Sequence, residues 1–206
     1  MQVLLISGSP YKLSRCSAVI DELDIRLKNN LIVTDKIFIC NMPPDAILNI
    51  DKKNIHIADA LNKISKTKII VIATPIYQAS LSGILKVFLD LIPERGLLGK
   101  IILPVSISGS QHHMLSLEYS LIPILRALSA HTILNSIYGI EHQIKITETD
   151  VSFEADFSCR LDHGVNLICN YLSMFHKEVD TTAGLITLPG AYSGDREHLF
   201  WAQVIT

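Results

Sequence analysis

The hydrophobic positions of the chain follow two patterns that alternate along it. Short, nearly continuous apolar runs predict five strands, at residues 2–7, 36–40, 68–73, 100–106 and 132–137. Runs of this kind are typical of parallel strands that are covered on both faces. After each run, apolar residues recur at helical spacing. These helical stripes run through residues 20–27, 57–64, 84–89, 117–128 and 153–175.

Five strands, each followed by a helix, predict an α/β fold in which right-handed crossovers place helices on both faces of a parallel sheet. Five strands suit the flavodoxin-like order 2-1-3-4-5 better than the six-stranded dinucleotide-binding order. Sheets of this kind bind ligands beyond the carboxyl ends of their strands. The loops after the first, third and fourth strands are therefore the predicted binding region.

Composition narrows the class of protein. The 206 residues are 49% hydrophobic and 18% charged, as expected for one compact domain. Eighteen basic and twenty acidic residues give a net charge of −2, which argues against a nucleic-acid partner. The apolar runs are too short to span a membrane, and Gly8-Ser9-Pro10 ends the first run too early for a signal peptide. A cytoplasmic location is expected.

The helical pattern lapses from Asp180 onward, where Gly and Pro become frequent and predict loop or partial disorder. We therefore expect a domain over residues 1–178 and a C-terminal extension over 179–206, whose role the sequence leaves open. The extension carries the only tryptophan of the chain, Trp201, which could dock on the core or on a neighbouring subunit.

The first loop, residues 8–17, has the composition of an anion site. Three hydroxyl side chains, Ser9, Ser14 and Ser17, accompany Arg15 where the first helix begins. The free amides of a helix N-terminus and the macrodipole favour an anion, and an arginine fork suits a phosphate. The alternative is a plain helix cap, in which Ser14 or Ser17 only satisfies backbone donors.

The second loop has residues that suit contact with a flat aromatic ring. Pro75, Ile76 and Tyr77 follow the third strand, and exposed amides beside a tyrosine would suit a heteroaromatic ring with carbonyl and nitrogen acceptors. The alternative is an ordinary turn with a half-buried tyrosine. The third loop contains Ser108 and Gly109, which are small and polar but weak indicators by themselves.

Several other sites are disfavoured. The chain has no G-x-G-x-x-G fingerprint, no G-x-S-x-G elbow and no C-x-x-C pair. The adjacent His112 and His113 would point in different directions on a helix, and no carboxylate stands at ligand spacing from them. No metal site is predicted.

The order and spacing of several motifs resemble those of the NAD(P)H-dependent FMN reductases, from Met1 to about Phe175. More narrowly, they resemble the reductase partners of two-component alkanesulfonate monooxygenases. The motifs are Gly8-Ser9-Pro10, Ser14-Arg15-x-Ser17, Ala73-Thr74-Pro75-Ile76-Tyr77, Ser82-Gly83-x-Leu85-Lys86, Leu89-Asp90-Leu91-Ile92-Pro93-Glu94-Arg95 and Gly99-Lys100.

The resemblance implies that NADPH reduces FMN, held as a substrate or loosely bound, and that a flavin-dependent monooxygenase receives the reduced flavin. It places the FMN phosphate at Ser9, Ser14, Arg15 and Ser17, the isoalloxazine edge at Pro75, Ile76 and Tyr77, and its far side at Ser108 and Gly109. No acid–base catalytic residue is implied, because the flavin itself accepts hydride. A homotetramer or homodimer is expected. Relatives often carry arginine where this chain has Tyr11.

Pro123 lies inside the fourth helical stripe and cannot donate a hydrogen bond to the Tyr119 carbonyl. A kink or a π-helical bulge is expected there. The resemblance implies a π-helix built around Tyr119 at an oligomer interface near the flavin. The alternative is a proline kink with a core tyrosine.

Two other functions stay open at this point. One is a quinone or azo-compound reductase with permanently bound FMN. The other is a flavodoxin-type electron carrier, which the nearly neutral charge disfavours because such carriers are usually strongly acidic.

Overall fold

A computed structural model of the chain describes residues 2–147 and 150–185. In these ranges the strands are β1 Gln2–Ser7, β2 Val33–Phe38, β3 Ile69–Tyr77, β4 Ser80–Leu81, β5 Ile101–Ser108, β6 Thr132–Ile133, β7 Ile137–Ile140, β8 Ile144–Ile146 and β9 Val151–Phe153. The α-helices are α1 Arg15–Asn29, α2 Pro44–Leu48, α3 Ile55–Lys66, α4 Gly83–Asp90, α5 Ser116–Ala127 and α6 Ala155–Leu185.

The main sheet has the predicted flavodoxin-like order. Its parallel strands run β2-β1-β3-β5-β6, and β7 continues beside β5 after β6 ends. The short β4 turns back antiparallel on β3. The short β4 was not among the five predicted strands, so β5 is the fourth of them and β6 with β7 is the fifth. The order of the predicted strands is therefore 2-1-3-4-5, and the predicted fold class is confirmed.

Helices cover both faces of this sheet. Alternate strand residues, among them Leu4, Ile6 and Ile72, share one buried cluster with residues of α3, α4 and α5. On the opposite face α1 contacts β1 and β3. There α6 approaches β7 so closely that a Cβ added to Gly164 would lie 2.7 Å from Ile137 Cδ1. Burial on both faces explains why the central strands are continuously apolar.

Four of the five predicted strands have different bounds in the structure. The third runs over Ile69–Tyr77 instead of 68–73, so Pro75, Ile76 and Tyr77 belong to the strand and not to a loop after it, and the fourth runs over Ile101–Ser108 instead of 100–106. The second begins at Val33 and ends at Phe38 instead of spanning 36–40, because it is an edge strand whose first residues are exposed or half-buried and show no apolar run. The fifth, predicted over 132–137, is split into β6 and β7. Asn135 and Ser136 lie in the gap, and their side chains compete for backbone hydrogen bonds.

The last helix also differs from its prediction at both ends. Phe153 belongs to β9 and not to the helix, and α6 continues to Leu185, past Asp180. The loop expected from Asp180 is therefore wrong as far as Leu185, since alanine favours a helix, each threonine or glycine costs only about 1 kcal/mol or less, and no proline follows Asp180 before Pro189.

Contacts divide the chain after Asn170; the described part of the second unit is Tyr171–Leu185. The domain boundary predicted after residue 178 stays a prediction, and Trp201 lies outside the described residues. None of the described helices is both long enough and apolar enough to cross a membrane.

Candidate functional site

The carboxyl ends of four parallel strands meet at one edge of the sheet. Ser7 lies beside Ala73, Pro75 beside Ile107, and β7 ends beside the end of β5. The loops that leave these strands are therefore neighbours in space. The predicted site residues after the first and third strands are brought together at this edge.

Gly8 lets the first loop turn closely over the end of β3. Its N–H donates to the Ala73 carbonyl at 2.7 Å. A Cβ added to Gly8 would lie 2.9 Å from Leu85 Cβ and 3.1 Å from the Ala73 oxygen, closer than ordinary contact. A glycine is required here by the approach of α4 and β3.

Ser14 caps α1 at the mouth of the site. Its Oγ accepts the Ser17 N–H at 3.1 Å and lies 2.9 Å from the Ser17 Oγ. The Ser17 hydroxyl is buried and also lies 3.4 Å from the Ser7 Oγ. Ser17 therefore supports Ser14 from inside the fold. Ser9 accepts the Tyr11 N–H at 3.2 Å and so holds the turn before the helix.

The second loop is a tight hairpin. Strand β3 runs on to Tyr77 and pairs with β4 through Ile76 and Leu81. Gln78 and Ala79 between them have φ values of 47° and 59°, the left-handed conformation of a two-residue hairpin turn that usually selects Asn or Gly. This turn presents Tyr77 at the edge, with 45% of its surface exposed.

Ser82 joins the two loops. Its buried hydroxyl donates to the Gly8 carbonyl and accepts the Leu85 N–H at 3.3 Å, so it caps α4 and ties it to the first loop. The Ser82 N–H donates to the Thr74 Oγ1 at 3.1 Å. The loops after β1 and β3 are thus held as one unit.

An open cleft with a cavity volume of about 220 Å³ lies between these loops. It is lined by Ser9, Tyr11, Leu13, Ser14, Arg15, Cys16, Pro75, Ile76, Tyr77, Ile107 and Glu141. The lining combines polar groups at the start of α1, among them Ser14 and Arg15, with the Pro75, Ile76 and Tyr77 side chains at the end of β3. The cleft contains the predicted Ser9, Ser14, Arg15, Pro75, Ile76 and Tyr77.

Three predicted site residues do not line this cleft. Ser17 faces inward, as described above. The Ser108 Oγ accepts the Ser110 N–H at 3.3 Å and donates to the Ser110 carbonyl at 3.0 Å, so it closes its own turn. Gly109 is exposed, with open space around the position of a Cβ. A role for Ser108 and Gly109 at the far side of a ring stays a prediction.

Arg15 is held by the segment that follows β7. Its Nε donates to the Glu141 carbonyl at 3.0 Å and to the Ile144 carbonyl at 3.3 Å. Its Nη1 lies 3.4 Å from Glu141 Oε2. Glu141 is not among the predicted site residues, because the fifth strand was expected to end at residue 137. Continuation of the apolar run to Ile140 is the signal that places Glu141 at the carboxyl edge.

Two side chains of the cleft, Cys16 and Tyr77, have a raised pKa. The pKa of the Cys16 thiol is raised, first by burial and then by the negative charge of Glu141. The pKa of the Tyr77 hydroxyl is raised by partial burial and by the nearby Tyr11, Cys16 and Glu141. Near neutral pH Tyr77 is therefore a hydrogen-bond donor, and Cys16 is a thiol rather than a nucleophilic thiolate.

Helix α5 does not contain the predicted π-helical turn. It is α-helical over Ser116–Ala127, and the Tyr119 N–H donates to the Leu115 carbonyl, the usual i−4 acceptor, at 3.4 Å. Tyr119 is 81% exposed, so it is not a core residue. Pro123 leaves the Tyr119 carbonyl without its usual N–H donor. Because this part of the helix is exposed, water can donate to that carbonyl, and the helix accommodates the proline without a π-turn. An interface role for Tyr119 stays a prediction.

The chain belongs to the family of NADPH-dependent FMN reductases, whose model matches residues 1–145. The resemblance found from the sequence motifs is thereby confirmed. Membership makes the chain an oxidoreductase, which decides against a flavodoxin-type electron carrier.

Individual relatives agree with this family. The chain is similar to an FMN reductase (NADPH) of Escherichia coli strain K12, with 28% identity over 190 residues that cover 92% of this chain and 98% of the relative. An FMN reductase (NADPH) of Pseudomonas putida strain KT2440 is 32% identical over 148 residues, covering 72% and 75%. Among solved structures, the apo form of the NADH:FMN oxidoreductase EMOB matches with a TM-score of 0.73 and 28% identity, covering 80% of this chain and 86% of that one.

Proposed function

We propose that the chain binds FMN in the cleft at the carboxyl edge, reduces it with NADPH and releases the reduced flavin to a monooxygenase. The observation that carries this proposal is the two-part lining of the cleft. The start of α1 with Ser14 and Arg15 suits the phosphate, and Pro75, Ile76 and Tyr77 suit the edge of the ring. Both kinds of group are needed for FMN, and they lie side by side.

The residues present fit this ligand. A helix N-terminus and an arginine favour an anion. The backbone around Pro75–Tyr77 ends a strand, and the Tyr77 hydroxyl can donate to a ring carbonyl or nitrogen. When bound, FMN supplies the hydride acceptor, so the chain needs no acid–base residue. Its side chains bind the two ends of the flavin and fix its orientation at the sheet edge.

Release of the flavin is favoured because the cleft is open to solvent and has a single arginine among its described lining residues. NADPH is proposed as the reductant because the two FMN reductases compared above are named for it, and so is the family model; other relatives are named for NADH. The proposed partner is the oxygenase of a sulfonate-sulfur assimilation system, in keeping with the motifs quoted above.

The supply of reduced flavin is tested by coupling the chain to a flavin-dependent monooxygenase that has no reductase activity. With NADPH and FMN present, we expect oxygenated product to form, and its formation to need all three of the chain, NADPH and FMN. If NADPH is consumed without oxygenation, while chemically reduced FMN supports the same monooxygenase, the proposal is wrong.

We also propose that Tyr119 packs against a second copy of the chain. Met114, Leu115 and Tyr119 are 54%, 60% and 81% exposed around the start of α5, which is unusual for large apolar and aromatic side chains that follow one another so closely. Sedimentation velocity tests this contact. A multimer that dissociates in the Tyr119→Ala variant is expected, and a monomeric wild-type chain would contradict it.

A further inference from the structure

The cleft has one positive and one negative side chain among the described residues that line it. These are Arg15 and Glu141. Their side chains are 42% and 52% exposed, so both reach the solvent-filled part of the cleft. A phosphorylated ligand that approaches Arg15 therefore meets the carboxylate of Glu141 as well.

The hydrogen bonds of Arg15 limit what it can offer a phosphate. An arginine binds a phosphate most strongly through two parallel N–H groups. Here Nε is shared by the carbonyls of Glu141 and Ile144, and Nη1 faces the Glu141 carboxylate. An arginine can bind a phosphate through two nitrogens in two ways, either through Nε and Nη2 or through Nη1 and Nη2. Both arrangements are thus partly occupied before a ligand arrives.

The negative charge of Glu141 also acts across the cleft. It contributes, after burial, to raising the pKa of both the Cys16 thiol in α1 and the Tyr77 hydroxyl at the end of β3. The field that disfavours a thiolate and a phenolate there also disfavours a phosphate dianion. Competition for Arg15 and direct repulsion therefore act in the same direction.

We propose that Glu141 is a specificity-determining residue that weakens the binding of phosphorylated flavins at this site. It reduces the advantage that Arg15 gives to FMN over riboflavin, which lacks the phosphate, and so helps the flavin to leave. This inference rests on the proposed function.

The Glu141→Gln variant tests the inference directly. Glutamine keeps the length of the side chain and leaves the Glu141 carbonyl, which holds Arg15, in place. We expect FMN to bind about three- to tenfold more tightly, the effect of removing one partly exposed charge beside a charge-assisted contact. Riboflavin should bind as it does to the wild type. Quenching of flavin fluorescence, with each flavin titrated separately, measures both constants.

Glu154→Gln is the matched control. Glu154 has an exposed carboxylate 3.9 Å from the His142 ring, close in sequence to Glu141, and it does not line the cleft. This variant loses the same charge and should bind both flavins like the wild type.

Each outcome of these titrations has a defined meaning. Equal tightening of FMN in the two variants would show an effect of net charge and overturn the inference. Weaker FMN binding in Glu141→Gln would overturn it too, because the carboxylate would then be needed to position Arg15. A wild-type chain that binds neither flavin would instead contradict the proposed function, so the two failures are distinguishable.

Discussion

Replacing Arg15 by glutamine is expected to weaken FMN binding by about ten- to hundredfold, the range for losing hydrogen bonds to a charged group. Riboflavin should be bound almost as well as before, because it has no phosphate for Arg15 to contact. The loss is large because Glu141 would then face the phosphate without its counter-charge. Titration of each flavin by fluorescence quenching measures the change.

Arg126→Gln serves as the control for this variant. Arg126 lies at the end of α5, where it donates to the Ala130 and His131 carbonyls, and it does not line the cleft. It should leave both flavin affinities unchanged. An equal loss for FMN and riboflavin in Arg15→Gln would contradict the account, because Arg15 would then support the loop rather than bind the phosphate.

Replacing Ser82 by alanine is expected to lower the free energy of unfolding by about 2–3 kcal/mol, which combines a lost helix cap with a buried carbonyl left without its donor. Ser82 is only 1% exposed, and its hydroxyl is bonded to both the Gly8 carbonyl and the Leu85 amide. Because it joins the two loops of the cleft, the folded variant should also bind FMN more weakly. Urea unfolding and flavin titration measure the two effects.

Ser120→Ala is the control for this change. The Ser120 hydroxyl donates to the Ser116 carbonyl within α5, at 2.6 Å, and joins no second element. Its removal should cost less than about 0.5 kcal/mol, as for most changes that affect no core contact or cap. If both serine variants unfold at the same urea concentration, the proposed link between the loops is not important for stability.

The central strands could be predicted from the sequence because burial on both faces forces an apolar run, as in β1, β3 and β5. Burial is less complete at the sheet margins, and the predictions were poorer there. The edge strand β2 leaves its first residues exposed or half-buried, and polar Asn135 and Ser136 divide the fifth strand. The hairpin after Tyr77 was missed because Gln78 and Ala79 occupy a turn that normally shows Asn or Gly.

The candidate site could be predicted where proximity follows from topology. The loops after β1 and β3 meet because parallel strands end at the same edge, which brings Ser14 and Pro75 to one cleft. The direction of a hydroxyl does not follow from topology, and Ser17 bonds to neighbouring serines inside the fold. The position of Glu141 follows from the end of the fifth strand at Ile140. The sequence did not show this end, because Asn135 and Ser136 interrupt the apolar run.

The central claim is that FMN is a released product rather than a permanently bound group. It is tested most directly by mixing a small amount of the purified chain with NADPH and a large excess of FMN in the absence of oxygen. We predict that the visible absorbance of the whole FMN pool is lost, and that the chain is almost colourless before FMN is added. A yellow preparation, in which NADPH bleaches only an amount of flavin equal to the protein, would contradict the account and favour a reductase with permanently bound FMN.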